Sequence, residues 1–227
     1  MRQAGVVTTA DAVRRRLGLG RLLPLGGTAD GAWLAERAAE AVLRRAAADV
    51  PGVVPGRIRL ALVEPGAAAA PAVPAPPSAL PPGPLRIEAD FAAVARDPLP
   101  AIASALRTVL FTAAAERLDL GVAEVDLRAT DVLDALPETP APAPPTEVRA
   151  AAPTDPAGTA ASRVPGVAHL TATLGTAVHL APDHVRVEVA TARGHRPLEV
   201  VRAVREAVTT ALADGRPVAV LVSSVSV

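Results

Sequence analysis

Fifteen of the 24 prolines in this 227-residue chain crowd into two stretches, eight in 64–84 and seven in 134–162. Proline has no N–H to give to a ladder and breaks a helix interior. Both stretches are therefore predicted to be extended or disordered, and they bound whatever regular structure the chain has. Strand patterns stand directly before and after the first, which makes it an insertion inside a folded unit. The second separates two units. The resulting division is an N-terminal helix and strap at 1–27, a first α/β unit at 28–133 carrying the 64–84 insertion, a linker at 134–162, and a second unit at 163–227.

The two units repeat one another in order. Val164-Pro165-Gly166-Val167 repeats Val50-Pro51-Gly52-Val53, and Val185-Arg186-Val187-Glu188 repeats Leu85-Arg86-Ile87-Glu88. Ala203-Val204-Arg205 follows as Ala105-Leu106-Arg107 did, and 218–227 closes the second unit as 122–130 closes the first. Four matches in one order point to an internal duplication. The fold class this implies is α+β: two related small units of helix-strand-strand-helix-strand, helices packed on one face of a sheet. In the second, Pro153, Pro156 and Gly158 stand where the first has its leading helix, so that helix is predicted to be missing or very short.

Periodicity fills in the elements. Thr8 or Thr9 caps a helix running to Leu17 and ending in Arg14, Arg15 and Arg16, and the Gly- and Leu-rich 18–27 reads as a hydrophobic strap over a neighbour. Thr28 or Asp30 is the expected N-cap of a helix ending at Val50, where Pro51 and Gly52 stop it. Strands are predicted at 57–63, 85–91 and 122–130, with a helix from Pro98 or Pro100 carrying Ile102, Leu106, Val109, Leu110 and Ala113 on one face. In the second unit 168–180 reads as the first strand, and Leu198, Val201, Val204, Val208 and Ala211 mark a helix. The segment 218–227 is Val-rich and uncharged. As an edge strand it would invite pairing with another chain, which makes Val218, Val220 and Val222 a candidate interaction surface beside Arg14, Arg15 and Arg16.

Composition narrows the chemistry. Trp33, Phe91 and Phe111 are the only aromatics, so the core must be built from Ala, Val and Leu, at about 25 cal/mol per Å² of apolar area buried. All 23 basic residues are Arg, and Lys, Cys and Tyr are absent. That excludes a lysine Schiff base, a phosphate-loop lysine, a thiol nucleophile, a disulfide framework and a thiolate metal site. Charge sums to zero but is uneven: residues 1–60 hold ten Arg against five acids, and 61–162 six against thirteen. A neutral total argues against general nucleic-acid binding, while three arginines beside a leucine-rich strap suit a local anionic partner or membrane surface. With neither an 18-residue apolar run nor a signal-peptide core, the expected address is the cytoplasm.

Other constellations stay weak. His169, His179, His184 and His195 lie ten, five and eleven residues apart, unlike metal-ligand spacing, so no metal is expected. Glu88 with Asp90, and Glu124 with Asp126, each share a sheet face, as any solvated strand does. Ser223, Ser224 and Ser226 have no nucleophile motif around them. No catalytic residue, cofactor or small-molecule substrate is predicted.

A helix running into Val-Pro-Gly-Val, an Arg- and Val-rich strand, a hydrophobic-Arg-hydrophobic-Glu strand, the helix Glu199-Val200-Val201-Arg202-Ala203-Val204-Arg205-Glu206-Ala207-Val208 and a closing Val-rich strand together resemble the alkaline shock protein family of envelope stress response proteins. The match is tightest over 185–227 and looser over 32–132. The resemblance implies a bacterial, cytoplasmic protein without an active site, a scaffold or adaptor in cell-envelope homeostasis. It further implies self-association, and anchorage at the inner face of the membrane by a small membrane-embedded partner. The alternative from another class is a KH-like nucleic-acid-binding module, whose minimal topology is similar. Such a module needs a GxxG loop between two helices, and Gly18-Leu19-Gly20 does not fit it.

Overall fold

The computed structural model describes residues 18–67, 69–137 and 148–226. It is a mixed α+β structure in which the named elements among the described residues are four helices, α1 (Glu36–Ala48), α2 (Leu99–Leu118), α3 (Pro156–Ser162) and α4 (Pro197–Leu212), and the strands of two sheets. The smaller sheet has the order β3 (Val53–Leu62), β4 (Leu85–Val94), β5 (Val122–Leu133). The larger runs β1 (Leu22–Pro24), β2 (Ala32–Ala35), β10 (Val218–Val225), β9 (Val185–Thr191), β7 (Val167–Thr171), β6 (Ala150–Ala151), with β8 (Val178–Leu180) also on β9.

Each sheet contains an antiparallel pair followed by a helical crossover to a parallel partner. In the smaller sheet β3 lies antiparallel to β4, and β4-α2-β5 makes β5 parallel to β4. In the larger, β7 lies antiparallel to β9, and β9-α4-β10 makes β10 parallel to β9. Main-chain hydrogen bonds fall at matching places. Leu85 N–H donates to Gly121 O at 2.8 Å, and Val185 N–H to Pro217 O at 2.9 Å. Val94 N–H donates to Gly52 O, and Ala192 N–H to Gly166 O, both at 2.8 Å. Both glycines sit in the left-handed region, φ 74° and 90°, where a side chain is strained. Helices α2 and α4 each begin with a proline in the first turn and end on a left-handed residue, Asp119 and Ala213.

The apolar faces meet in one core. Ile58, Leu60, Ile87 and Phe91 from the smaller sheet share a cluster with Val42 and Leu43 of α1, Leu106 and Leu110 of α2, Val201 and Val204 of α4, and Val187, Val189 and Val220 of the larger sheet. A second cluster covers the far face of the larger sheet, where Trp33, Leu22, Ala35 and Leu221 pack with Leu19 and Val73. Since β-strand side chains alternate, β2 and β10 feed both clusters.

Four expectations change and two are made more specific. Within the expected strap at 18–27, Leu22–Pro24 forms a strand, β1, antiparallel to β2, while Leu19 packs in the second cluster. The helix expected from Thr28 or Asp30 starts at Glu36, because Ala32–Ala35 is claimed by main-chain pairing with β1 on one side and β10 on the other. The 64–84 insertion opens with a 3-10 turn at Pro65–Ala67, and its described remainder forms no helix and is held in place: Leu22 N–H donates to Ser78 O, Leu80 N–H to Leu22 O, and Trp33 Nε1 to Leu80 O at 3.3 Å. The linker expected to reach 162 ends earlier, because Ala150–Ala151 pairs with β7 and α3 follows. The helix expected to be missing or very short at the front of the second unit is very short: α3 has seven residues, with Pro156 in its first turn and the Asp155 carboxylate accepting Gly158 N–H at 2.8 Å. The strand expected over 168–180 is split into β7 and β8.

Candidate functional site

Val218, Val220 and Val222 do not form an edge. β10 lies in the middle of the larger sheet, with β2 on one flank and β9 on the other, and the three side chains are buried. The terminal strand is interior because 32–35, which the sequence reads as helix, supplies a further parallel strand beyond it. Arg14, Arg15 and Arg16 lie outside the described residues.

The corresponding flank of the smaller sheet carries no further strand among the described residues. β5 ends that sheet, parallel to β4, with no described strand beyond it. It spans twelve residues, and the pairing with β4 is regular from Glu124 to Ala129, between irregularities near 123 and 130. One face of the strand turns Val125 into the core; the other turns Glu124, Asp126 and Arg128 to solvent. At Val125 the main-chain carbonyl accepts from Arg107 Nε of α2 at 3.3 Å. Beside the far end of β5 stand three of the exposed large apolar side chains, Val132 at 59 %, Leu136 at 56 % and Leu99 at 38 %. Val132 and Leu99 line one shallow depression with Ile102.

The open face of the same sheet is a lattice of opposite charges. Arg86 Nε lies 2.7 Å from Glu124 and 3.5 Å from Asp126, and Arg128 grips Asp90 through two bonds of 2.9 and 3.1 Å. Of the carboxylates singled out by spacing, Glu124, Asp126 and Asp90 are thus engaged by arginine on this solvated face, where such pairs contribute little.

Two carboxylates that spacing missed fasten the halves together. Asp119, at the end of α2, accepts Leu198 N–H at 3.0 Å from the first turn of α4 and is also bound by Arg196. Asp30, before β2, accepts Gly27 N–H at 2.8 Å and Arg202 of α4 at 2.8 and 3.2 Å. The Arg202 bonds hold the Asp30 carboxyl below its usual range. Burial pushes Glu36 up, but hydrogen bonds and charge from Arg21 outweigh it, and the net shift is downward. Local sequence carries no sign of contacts spanning 79 and 172 residues.

The remaining candidates do not converge. His169 faces Val148 O at 3.3 Å, His184 pairs with Asp183 at 2.8 Å, and among the described residues no three His, Asp or Glu are grouped as metal ligands. Ser223 is buried, sharing a 2.8 Å hydrogen bond with Thr171. Helices α1 to α4 each run from a strand to a strand, so none of them meets another across a GxxG loop. One helix, α2, is long and apolar enough to cross a membrane by length and composition, but its face of Ile102, Leu106 and Leu110 belongs to the protein core. No family model matches the chain, and no curated protein or solved structure matches it.

Proposed function

We propose that this chain is a non-enzymatic scaffold or adaptor of the cell-envelope stress response, built from two related units of helix-strand-strand-helix-strand and acting through protein-protein contact. The observation that carries the reading is the open flank of β5 beside its exposed apolar residues, set against the covered flank of β10. One unit has its outer strand closed within the chain; the other offers the equivalent strand outward. Relatedness of the units is supported by the matched hydrogen bonds at Gly52 and Gly166 and by the shared crossover order. The envelope assignment rests on the resemblance over 185–227, and with it the proposed cytoplasmic location, self-association and small membrane-embedded anchor.

The test is affinity capture of the full chain from membranes of its native cell, read by mass spectrometry. A small membrane protein retained stoichiometrically supports the adaptor reading. Retention of RNA at moderate salt, with no membrane protein, overturns it in favour of a nucleic-acid module.

A further inference from the structure

We infer that the open edge of β5 is where a second copy of this chain docks, the two β5 strands lying antiparallel about a two-fold axis at Leu127. This deepens the scaffold reading, on which its biological sense rests, by naming the occupant of that edge.

The register follows from parity and charge. In an antiparallel pair, residues directly opposite share a face, so when a strand meets its own copy, paired positions must both be even or both odd. Within the regular stretch from Glu124 to Ala129 two registers centre well. One sets Asp126 opposite Asp126 of the second copy, bringing like charges to about 5 Å, which is unfavourable. The other sets Leu127 opposite Leu127, Val125 opposite Ala129, and Asp126 opposite Arg128 twice over. Both registers set two opposite-charge pairs across the seam, Glu124 with Arg128 in the first and Asp126 with Arg128 in the second, and apolar residues across the core face; only the second does so without a like-charge pair.

The flanking surface agrees. Val132, Leu136 and Leu99 are exposed at one end of the strand, and extending the sheet gives them an apolar neighbour. Edge strands are commonly protected by proline or by charges turned inward; β5 has no proline between Val122 and Leu133, and its charges point to solvent. The protection it does have is the irregularity near each end of the regular stretch and Arg107, whose long 3.3 Å bond to the Val125 carbonyl is replaced on docking by a main-chain N–H from Ala129 of the second copy. Inside the chain the equivalent strand already behaves this way, since β10 accepts β2 along its outer flank.

The chain has no cysteine, so single cysteines report the register in the full-length protein. Under mild oxidation Leu127→Cys is expected to form a disulfide-linked pair at least about tenfold faster than Asp126→Cys or Arg128→Cys, whose Cα atoms would lie beyond the ~7 Å that a disulfide can bridge. Sedimentation of the unmodified chain is expected to give twice its 22.9 kDa mass. Arg128→Glu, an exposed change that leaves the core intact, is expected to give the single mass, and adding Asp126→Arg to restore the pair. A single mass for the unmodified chain at every concentration, fastest linkage at Asp126, or an Arg128→Glu variant that stays double overturns the proposal. Failure here with a membrane partner still captured removes the β5 contact alone; a confirmed pair with no partner captured removes the envelope adaptor reading alone.

Discussion

Glu188 and Glu88 hold the same place in their strands, fourth in Val185-Arg186-Val187-Glu188 and fourth in Leu85-Arg86-Ile87-Glu88, yet Glu188 is completely buried and Glu88 is exposed. What separates them is cover. Glu188 lies under the turn between β7 and β8, accepting Thr173 N–H at 2.6 Å and Leu174 N–H at 3.0 Å, with Arg186 3.7 Å away. Glu88 sits on the open charged face between Arg59 of β3 and Asp126 of β5 in the ladder.

Burial pushes the Glu188 carboxyl up to about 7, against the opposing pull of the two amides and Arg186. A carboxyl raised in the folded state stabilises the fold below its unfolded value and loses that contribution as pH climbs through the folded one. Unfolding free energy is therefore expected to fall between about pH 4.5 and 7, by at most about 3 kcal/mol. Glu188→Gln should flatten that window, measured by urea unfolding at each pH. Glu36 and Asp30 are shifted the other way, so their contribution is present above the usual carboxylate range and is lost in acid.

Glycine at the two matching turns is not equally demanding. A Cβ on Gly166 would sit 2.5 Å from Val200 Cγ2 and 2.8 Å from the His195 ring, while on Gly52 its nearest neighbour is Val94 Cβ at 3.8 Å. Gly52→Ala should cost about 1 kcal/mol from the left-handed backbone alone. Gly166→Ala should cost roughly 1–3 kcal/mol more through overpacking. Paired thermal melts check the difference.

Asp119→Ala removes the acceptor for Leu198 N–H and Arg196 at the seam between α2 and α4. A charged hydrogen bond of this kind is worth about 2 kcal/mol, and because Arg196 is half exposed the loss should come mainly from the Leu198 amide left without its acceptor. Asp119→Asn, which keeps an acceptor, should recover part of it. Chemical unfolding of the three proteins decides the order.

Much of the secondary structure was legible in the sequence because its signals are local. The alternation in 85–91, the 3.6-residue spacing of Ile102, Leu106 and Leu110, and the turn at Val50-Pro51-Gly52 each act within a few residues. What escaped was set by distant neighbours. Ala32, Trp33, Leu34 and Ala35 have helical company on their C-terminal side, and only β1 and β10 make them a strand. The same event hid the site: once β2 covers β10, the terminal strand is interior, and of the two equivalent strands β5 is the one at a sheet edge. The prolines of 64–84 announce extended chain but not that its main-chain groups pair with Leu22. Asp155 before Pro156 was the local sign of a short helix, a capping residue followed by proline in the first turn.

Hydrogen exchange of the full chain at low and high concentration tests the central asymmetry between the two outer strands most directly. Amides of 218–222 should be slow to exchange at both concentrations, while those of Val125, Leu127 and Ala129, on the edge away from β4, should exchange fast when dilute and become protected as concentration rises. Early exchange in 218–222, or exchange at those three amides that ignores concentration, would contradict the account.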